Sequence, residues 1–257
     1  MIFDCHVHLP SPSLGVTLEW SPFTRDVASA IAYLKRCGID RIVASTALGL
    51  LAKNADEITA ANDEIAQLAK KYPDFIEPAC QINTSYPGML DEIRRCHAEL
   101  GMVWLGELCG YFSGYEYNTS AFADALNLAA DLKMVVQIHN DDDADMERLC
   151  AEFPETTFVL SHLGDESESV KRRIAMTARY PNLSLDICGN GFERMGILEL
   201  AVQTAGAERV LFGSDFTIND PAGVIARIEK SNFDVDTRAK ILGASVQKIL
   251  SDHRIFS

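Results

Sequence analysis

Short, nearly continuous apolar runs alternate along the chain with longer stretches whose apolar residues recur every three or four positions. The runs are Ile2 to His6, Arg41 to Ser45, Phe75 to Gln81, Met102 to Glu107, Met134 to His139, Thr157 to His162, Leu183 to Ile187 and Arg209 to Ser214. Consecutive apolar positions in short segments predict strands buried on both faces. The stretches between them predict helices. Ser21-Pro22 offers a cap and a first-turn proline, Val27, Ile31 and Leu34 follow at helical spacing, and Gly38 ends the helix. Asn54 caps the next, with Asp56 and Glu57 in its first turn and Ile58, Ile65 and Leu68 on one face. Further helices are predicted over 87–99, 118–131, 142–152, 166–178, 193–204, 220–230 and 235–250. The acidic Asp141-Asp142-Asp143 fits the start of one of these, where the helix dipole favours carboxylates.

Strand followed by helix, eight times over, predicts a parallel sheet. Eight units in 257 residues favour an α/β fold closed as a (β/α)8 TIM-type barrel, a single domain spanning 1–257. An open doubly wound sheet is the runner-up. It would carry G-x-G-x-x-G after a strand, and the nearest approach, Gly189-Asn190-Gly191, lacks the third glycine. No linker rich in proline, glycine or serine divides the chain.

Composition narrows the partners. The chain is 47% hydrophobic and carries 23 basic against 37 acidic residues, a net charge of −14. Such a surface repels phosphate backbones, which argues against nucleic acid and for a small-molecule substrate. The seven cysteines are odd in number, widely spaced and without a C-x-x-C pair. That is neither a disulfide framework nor a thiolate zinc site, and it fits a reduced, cytoplasmic protein. The start MIFDCHVHLP has no apolar leader core, and no apolar run approaches the roughly 18 residues of a membrane span. A homo-oligomer is compatible with all of this.

The chemistry collects at the strand ends, where such barrels place their reactive residues. The first strand ends His6-Val7-His8, and residues two apart on a strand share a side. Asp4 precedes them on the same alternation, as a support from behind. Glu107 ends the fourth strand, His139 the fifth, His162 the sixth, and Asp215 follows the eighth; four of the six histidines thus fall at strand ends. Each alone has an ordinary reading: a surface H-x-H, a rim histidine, a salt-bridge glutamate, an Asx turn at Asp215. Together, four imidazoles and two carboxylates around one cavity are costly to bury without a cation. Imidazole with carboxylate suits Zn²⁺ first, with Mn²⁺, Fe²⁺, Co²⁺ or Ni²⁺ as alternatives. Cys109 reads as a buried structural thiol. Asn140 reads as a substrate contact or a loop opener, and Asp186 as a cavity group or a barrel-layer carboxylate. The aromatic loop Tyr111 to Tyr117 reads as a lid or a packed surface loop, with Trp20 a similar candidate.

These blocks resemble the amidohydrolase superfamily of metal-dependent hydrolases over almost the whole chain. The resemblance rests on Asp4-Cys5-His6-Val7-His8, Gly106-Glu107, Gln137-Ile138-His139, Phe153-Pro154, Leu160-Ser161-His162-Leu163-Gly164 and Arg209 to Phe216. The later blocks look most like the amidohydrolase-related branch, which includes lactonases and metal-dependent decarboxylases. Gly106-Glu107 followed by Gly110-Tyr111 looks more like TatD-type deoxyribonucleases. The superfamily's frequent strand-four lysine, carrier of a bridging carbamate, is replaced by Glu107. The resemblance implies one or two divalent ions, held by His6, His8, His139 and Asp215. Glu107 then bridges two ions or orients a water, and His162 binds a second ion or polarises the substrate. It implies hydrolysis of an amide, lactone or other ester, with Asp215 shuttling the proton. Decarboxylation of a small carboxylic acid is the alternative and would want a cation at the mouth, for which Arg194 and Lys53 are candidates. A TatD-like phosphodiesterase is the third, and it would want basic strand-end loops that this chain lacks.

Overall fold

The computed structural model describes residues 1–15, 26–189 and 191–254. Eight strands run parallel in the order of the chain: β1 (Phe3–Leu9), β2 (Arg41–Thr46), β3 (Ile76–Cys80), β4 (Trp104–Leu108), β5 (Val135–Ile138), β6 (Thr157–Leu160), β7 (Leu183–Asp186) and β8 (Val210–Leu211). The segment after β8 returns to β1. Asp215 N–H donates to the His6 carbonyl at 2.9 Å, and Cys5 N–H donates to the Phe212 carbonyl at 3.0 Å. The barrel of the sequence pattern is therefore the fold.

Helices α1 (Val27–Arg36), α2 (Ala47–Leu51), α3 (Ala55–Lys71), α4 (Met89–Ala98), α5 (Gly110–Ser113), α6 (Ser120–Asp131), α7 (Asp143–Glu152), α8 (Ser167–Arg179), α9 (Ile197–Ala205), α10 (Pro221–Glu229), α11 (Val235–Ala239) and α12 (Ser245–Arg254) surround it. Asn54 caps α3 by accepting from Glu57 N–H, and Asp142 caps α7 by accepting from Ala144 and Asp145 N–H. The expected start at Ser21-Pro22 lies outside the described residues, as does Trp20; α1 begins at Val27 with Asp26 and Ser29 closing a reciprocal capping box. The stretch 235–250 is not one helix. It breaks around Gly243, where a Cβ would come within 2.7 Å of the Phe3 backbone nitrogen, so the close approach to β1 replaces helical geometry. The short α2 and α5 were not anticipated, because one turn of helix carries no periodicity to read.

Alternation along the strands sorts side chains into two layers. Ile42, Ala44, Val136, Ile138, Phe158 and Leu160 face the helices. Val43, Ala79, Val135, Val159 and Leu211 fill the barrel with Trp104, and α12 adds Val246 and Leu250 at the end opposite the site. Further along the same strands the inward positions turn polar: Val43 gives way to Ser45, Val135 to Gln137, and Val159 to Ser161. The apolar lower half is a packed plug, and the polar upper half is built to face chemistry. No helix among the described residues is long and apolar enough to cross a membrane.

Candidate metal centre

All six expected ligands meet at the C-terminal mouth. His6 and His8 project from β1 with their Nε2 atoms 3.1 Å apart. Glu107, near the end of β4, places Oε2 3.2 Å from His6 Nε2 and 3.3 Å from His8 Nε2. Asp215 Oδ1 lies 3.6 and 3.4 Å from the same two nitrogens. The other Glu107 oxygen, Oε1, lies 3.3 Å from His139 Nδ1 and 3.5 Å from His162 Nε2, and those two nitrogens are 3.1 Å apart. Glu107 therefore shows one oxygen to each of two donor clusters. His139 and His162 stand just beyond their strands rather than in them. His162 and Asp215 adopt left-handed backbone at φ 67° and 58°, conformations uncommon for these residues that recur where side chains are aimed at a site.

The residues fit a divalent cation. Glu107 Oε1 is buried without a hydrogen-bond partner, an orphan that an imidazole-and-carboxylate shell around an ion would satisfy. Electrostatics point the same way. Burial alone would lower the His6 pKa, yet the surrounding Cys188, Glu107 and Asp186, with the hydrogen bond to Asp186, carry it well above the ordinary value. Burial pushes Glu107 up, and the surrounding imidazoles overcome this and hold it well below the usual carboxylate range. The cluster thus calls for positive charge at its centre.

Behind the ligands the structure departs from the sequence pattern. The register of β1 against β2 shifts between Asp4 and Val7, which breaks the alternation expected to align Asp4 with His6 and His8. Asp4 accepts from the His6 N–H at 3.1 Å, from Ser214 N–H at 2.9 Å and from Ser214 Oγ at 2.5 Å, holding the turn that presents Asp215. Its burial raises its pKa to about 7. The carboxylate behind His6 is Asp186, whose Oδ2 lies 2.6 Å from His6 Nδ1. Ser45 and Cys188 are support residues that sequence reasoning missed: Ser45 Oγ is 3.1 Å from His8 Nδ1, and Cys188 Sγ is 3.2 Å from His6 Nδ1. The two-residue spacing of Asp186 and Cys188 at the end of the seventh run was the signal that could have found the pair. Cys109 is buried as expected, but its thiol also reaches Glu107 Oε2 at 3.0 Å. Asn140 is spent on its own loop: its amide donates to Asp145 Oδ2, and its oxygen accepts from Asp142 N–H. His97 and His253 lie on α4 and α12, away from the centre.

A cavity of about 300 Å³ opens beside His139, lined by Tyr111, Tyr115, Tyr117 and Asn140 and by the acids Glu116, Asp141, Asp142 and Asp145. The Tyr111 ring stands 4.7 Å from the His139 ring and is two-thirds exposed.

The amidohydrolase family model matches residues 3–244. The chain belongs to the amidohydrolase family. No curated protein sequence matches it. Among solved structures, it resembles 5-carboxyvanillate decarboxylase from Sphingomonas paucimobilis at 16% identity and TM-score 0.78, over 97% of this chain and 98% of that one. It resembles 2,6-dihydroxybenzoate decarboxylase from Rhizobium at 16% and 0.75, over 97% and 98%. It also resembles a dihydroxybenzoic acid decarboxylase from Polaromonas sp. JS666, solved with manganese and 2-nitroresorcinol, at 17% and 0.76, over 98% and 97%. These likenesses establish the fold of this amidohydrolase. All three are named as decarboxylases, and the Polaromonas structure holds manganese. The TatD-like detail at strand four has no support among them.

Proposed function

We propose that this amidohydrolase is a two-cation hydrolase that cleaves an amide, lactone or other ester bond of a neutral or cationic small molecule. The observation that carries the reading is Glu107, with one oxygen facing His6, His8 and Asp215 and the other facing His139 and His162. Each cluster brings three donor side chains together, enough to hold an ion of its own. Divalent ions bound there would supply Lewis acidity and a water whose pKa falls towards about 7. The chain's own residues do the rest. Asp215 keeps Oδ1 at the centre while Oδ2 accepts from Asn219 Nδ2 at 3.3 Å, which orients the carboxylate to take a proton from the attacking water and pass it to the leaving group. Tyr111, packed on His139 at the start of the aromatic loop, covers the second cluster and limits water entry once substrate is in place. The acid-lined cavity disfavours carboxylate and phosphate substrates, which argues against the nuclease reading.

Decarboxylation is the second reading. The solved relatives favour it, and so does Arg194, whose Nη1 is buried with no hydrogen-bond partner among the described residues, a group fit to receive a carboxylate. One experiment separates the two. Protein purified without chelator or tag-derived metal is assayed for metal by mass spectrometry, then given neutral and cationic esters, lactones and amides beside aromatic carboxylic acids. Near two ions per chain with ester, lactone or amide cleavage supports hydrolysis. A single ion with release of carbon dioxide overturns it in favour of decarboxylation.

A further inference from the structure

Behind the two donor clusters, on the floor of the mouth, lies a polar network that constrains where the protons sit once the imidazole Nε2 atoms face a cation. Trp104 Nε1–H donates to Gln137 Oε1 at 3.0 Å, and Gln137 Nε2 donates to Asp186 Oδ2 at 3.2 Å. Cys188 N–H donates to Asp186 Oδ1 at 2.9 Å. An ionised carboxylate only accepts. The 2.6 Å contact from His6 Nδ1 to Asp186 Oδ2 therefore puts a proton on Nδ1 and leaves Nε2 bare towards the centre. Cys188 Sγ lies 3.2 Å from that same Oδ2, within reach to donate its thiol proton there. With its proton spent, the sulfur faces His162 Nδ1 at 3.1 Å as an acceptor. A His162 whose Nε2 is bare towards a cation carries its proton on Nδ1, and the Cys188 sulfur is placed to accept it.

We propose that Cys188 is a positioning residue that fixes His162 in the Nδ1–H tautomer and thereby sets the affinity of the second donor cluster for its cation. The assignment rests on the two-cation reading and deepens it. The 2.6 Å His6 Nδ1–Asp186 Oδ2 separation argues against a third cation site at His6, Asp186 and Cys188, because tetrahedral ligands about 2.0–2.1 Å from one ion stand about 3.3 Å apart. Sterics lock the network in place. A Cβ at Gly189 would sit 2.6 Å from His162 Nδ1, so the ring lies against bare backbone there. A Cβ at Gly213 would sit 2.2 Å from Asp186 Oδ1. Cys188 touches the rear nitrogens of one ligand from each cluster, His6 and His162.

The test titrates the chelator-stripped full chain with Zn²⁺ by calorimetry and follows the His162 ring proton by proton–nitrogen NMR of the loaded protein. Wild type should take up two ions and show the Nδ1–H resonance. Cys188→Ala should weaken the second ion by about 10–100-fold, the usual cost of losing a support behind a ligand, and lose the resonance while the first ion binds within about 3-fold of wild type. Cys188→Ser should restore both, because a hydroxyl also donates one proton and accepts another. Unchanged binding and an unchanged resonance in Cys188→Ala overturn the assignment. So does an equal loss at both sites that serine fails to rescue. If wild type takes up one ion only, the two-cation reading fails, and the ring proton alone decides the tautomer assignment.

Discussion

Arg173 reaches from α8 under the turns that carry two of the ligands, and its removal should loosen both. The residue is 2% exposed. Its Nη2 donates to the Asn140 carbonyl at 3.0 Å, its Nη1 to the His162 carbonyl at 3.1 Å, and its Nε to Asp143 Oδ1 at 2.9 Å. Arg173→Met keeps the aliphatic stem and deletes the fork. Two charge-assisted bonds to buried carbonyls are lost, each worth about 1.5–3 kcal/mol. Asp143 is not stranded, because Arg172 Nε still reaches it at 2.9 Å. The expected cost is therefore about 4 kcal/mol, within the range of about 3–5 found when one partner of a buried ion pair is removed. At about 2–4 °C per kcal/mol for a chain approaching this size, Tm should fall by roughly 8–16 °C. Arg173→Lys, with donors but no fork, should fall between. Urea and thermal unfolding of metal-stripped protein measure this without stabilisation by bound ions. The same variant should loosen the turns after β5 and β6 and weaken the second cation before the first. A Tm loss below about 3 °C with two ions still bound at wild-type affinity would refute the clamp.

Three further outcomes follow from the same contacts. Gly213→Ala forces a methyl within 2.2 Å of Asp186 Oδ1, which is pinned by Cys188 N–H, so it should cost about 1–3 kcal/mol or more by urea unfolding and weaken the first cation; a neutral result would mean Asp186 is free to move. Glu107→Gln should leave at most one ion per chain by mass spectrometry, since a neutral amide offers a single weak oxygen donor; two retained ions would remove Glu107 from the bridge. In metal-stripped protein, burial opposes but contacts with Asp141 and Glu107 raise the His139 pKa from 6.5 to about 9. A raised imidazole pKa stabilises the fold fully below 6.5, and that contribution disappears as pH climbs through about 9. Unfolding free energy should thus drop more steeply over this range in wild type than in His139→Gln, and parallel curves would contradict the shift.

The ligands were legible because each is announced locally. A strand in a parallel barrel reads as an apolar run, its end is where the run stops, and an imidazole or carboxylate there needs no distant partner to be noticed. His6, His8, His139 and His162 all carry that signature. The supports were less legible, because they depend on register between strands far apart in the chain. Asp4 was expected as a support on simple alternation, and with the register shift inside β1 it acts through the His6 N–H and the Ser214 turn rather than through an imidazole. The carboxylate that took its place, Asp186, is 180 residues from His6. Periodicity places Asp186 and Cys188 on one face of a strand, but only closure of the barrel decides which imidazoles that face meets. The same holds for Gly189 and Gly213: as sequence they read as turns, whereas in the fold each is the missing side chain that lets a support or a ligand come close. A chain can thus keep every ligand residue and still lose its centre through a change at Gly213, Cys188 or Arg173, positions that no ligand motif would single out.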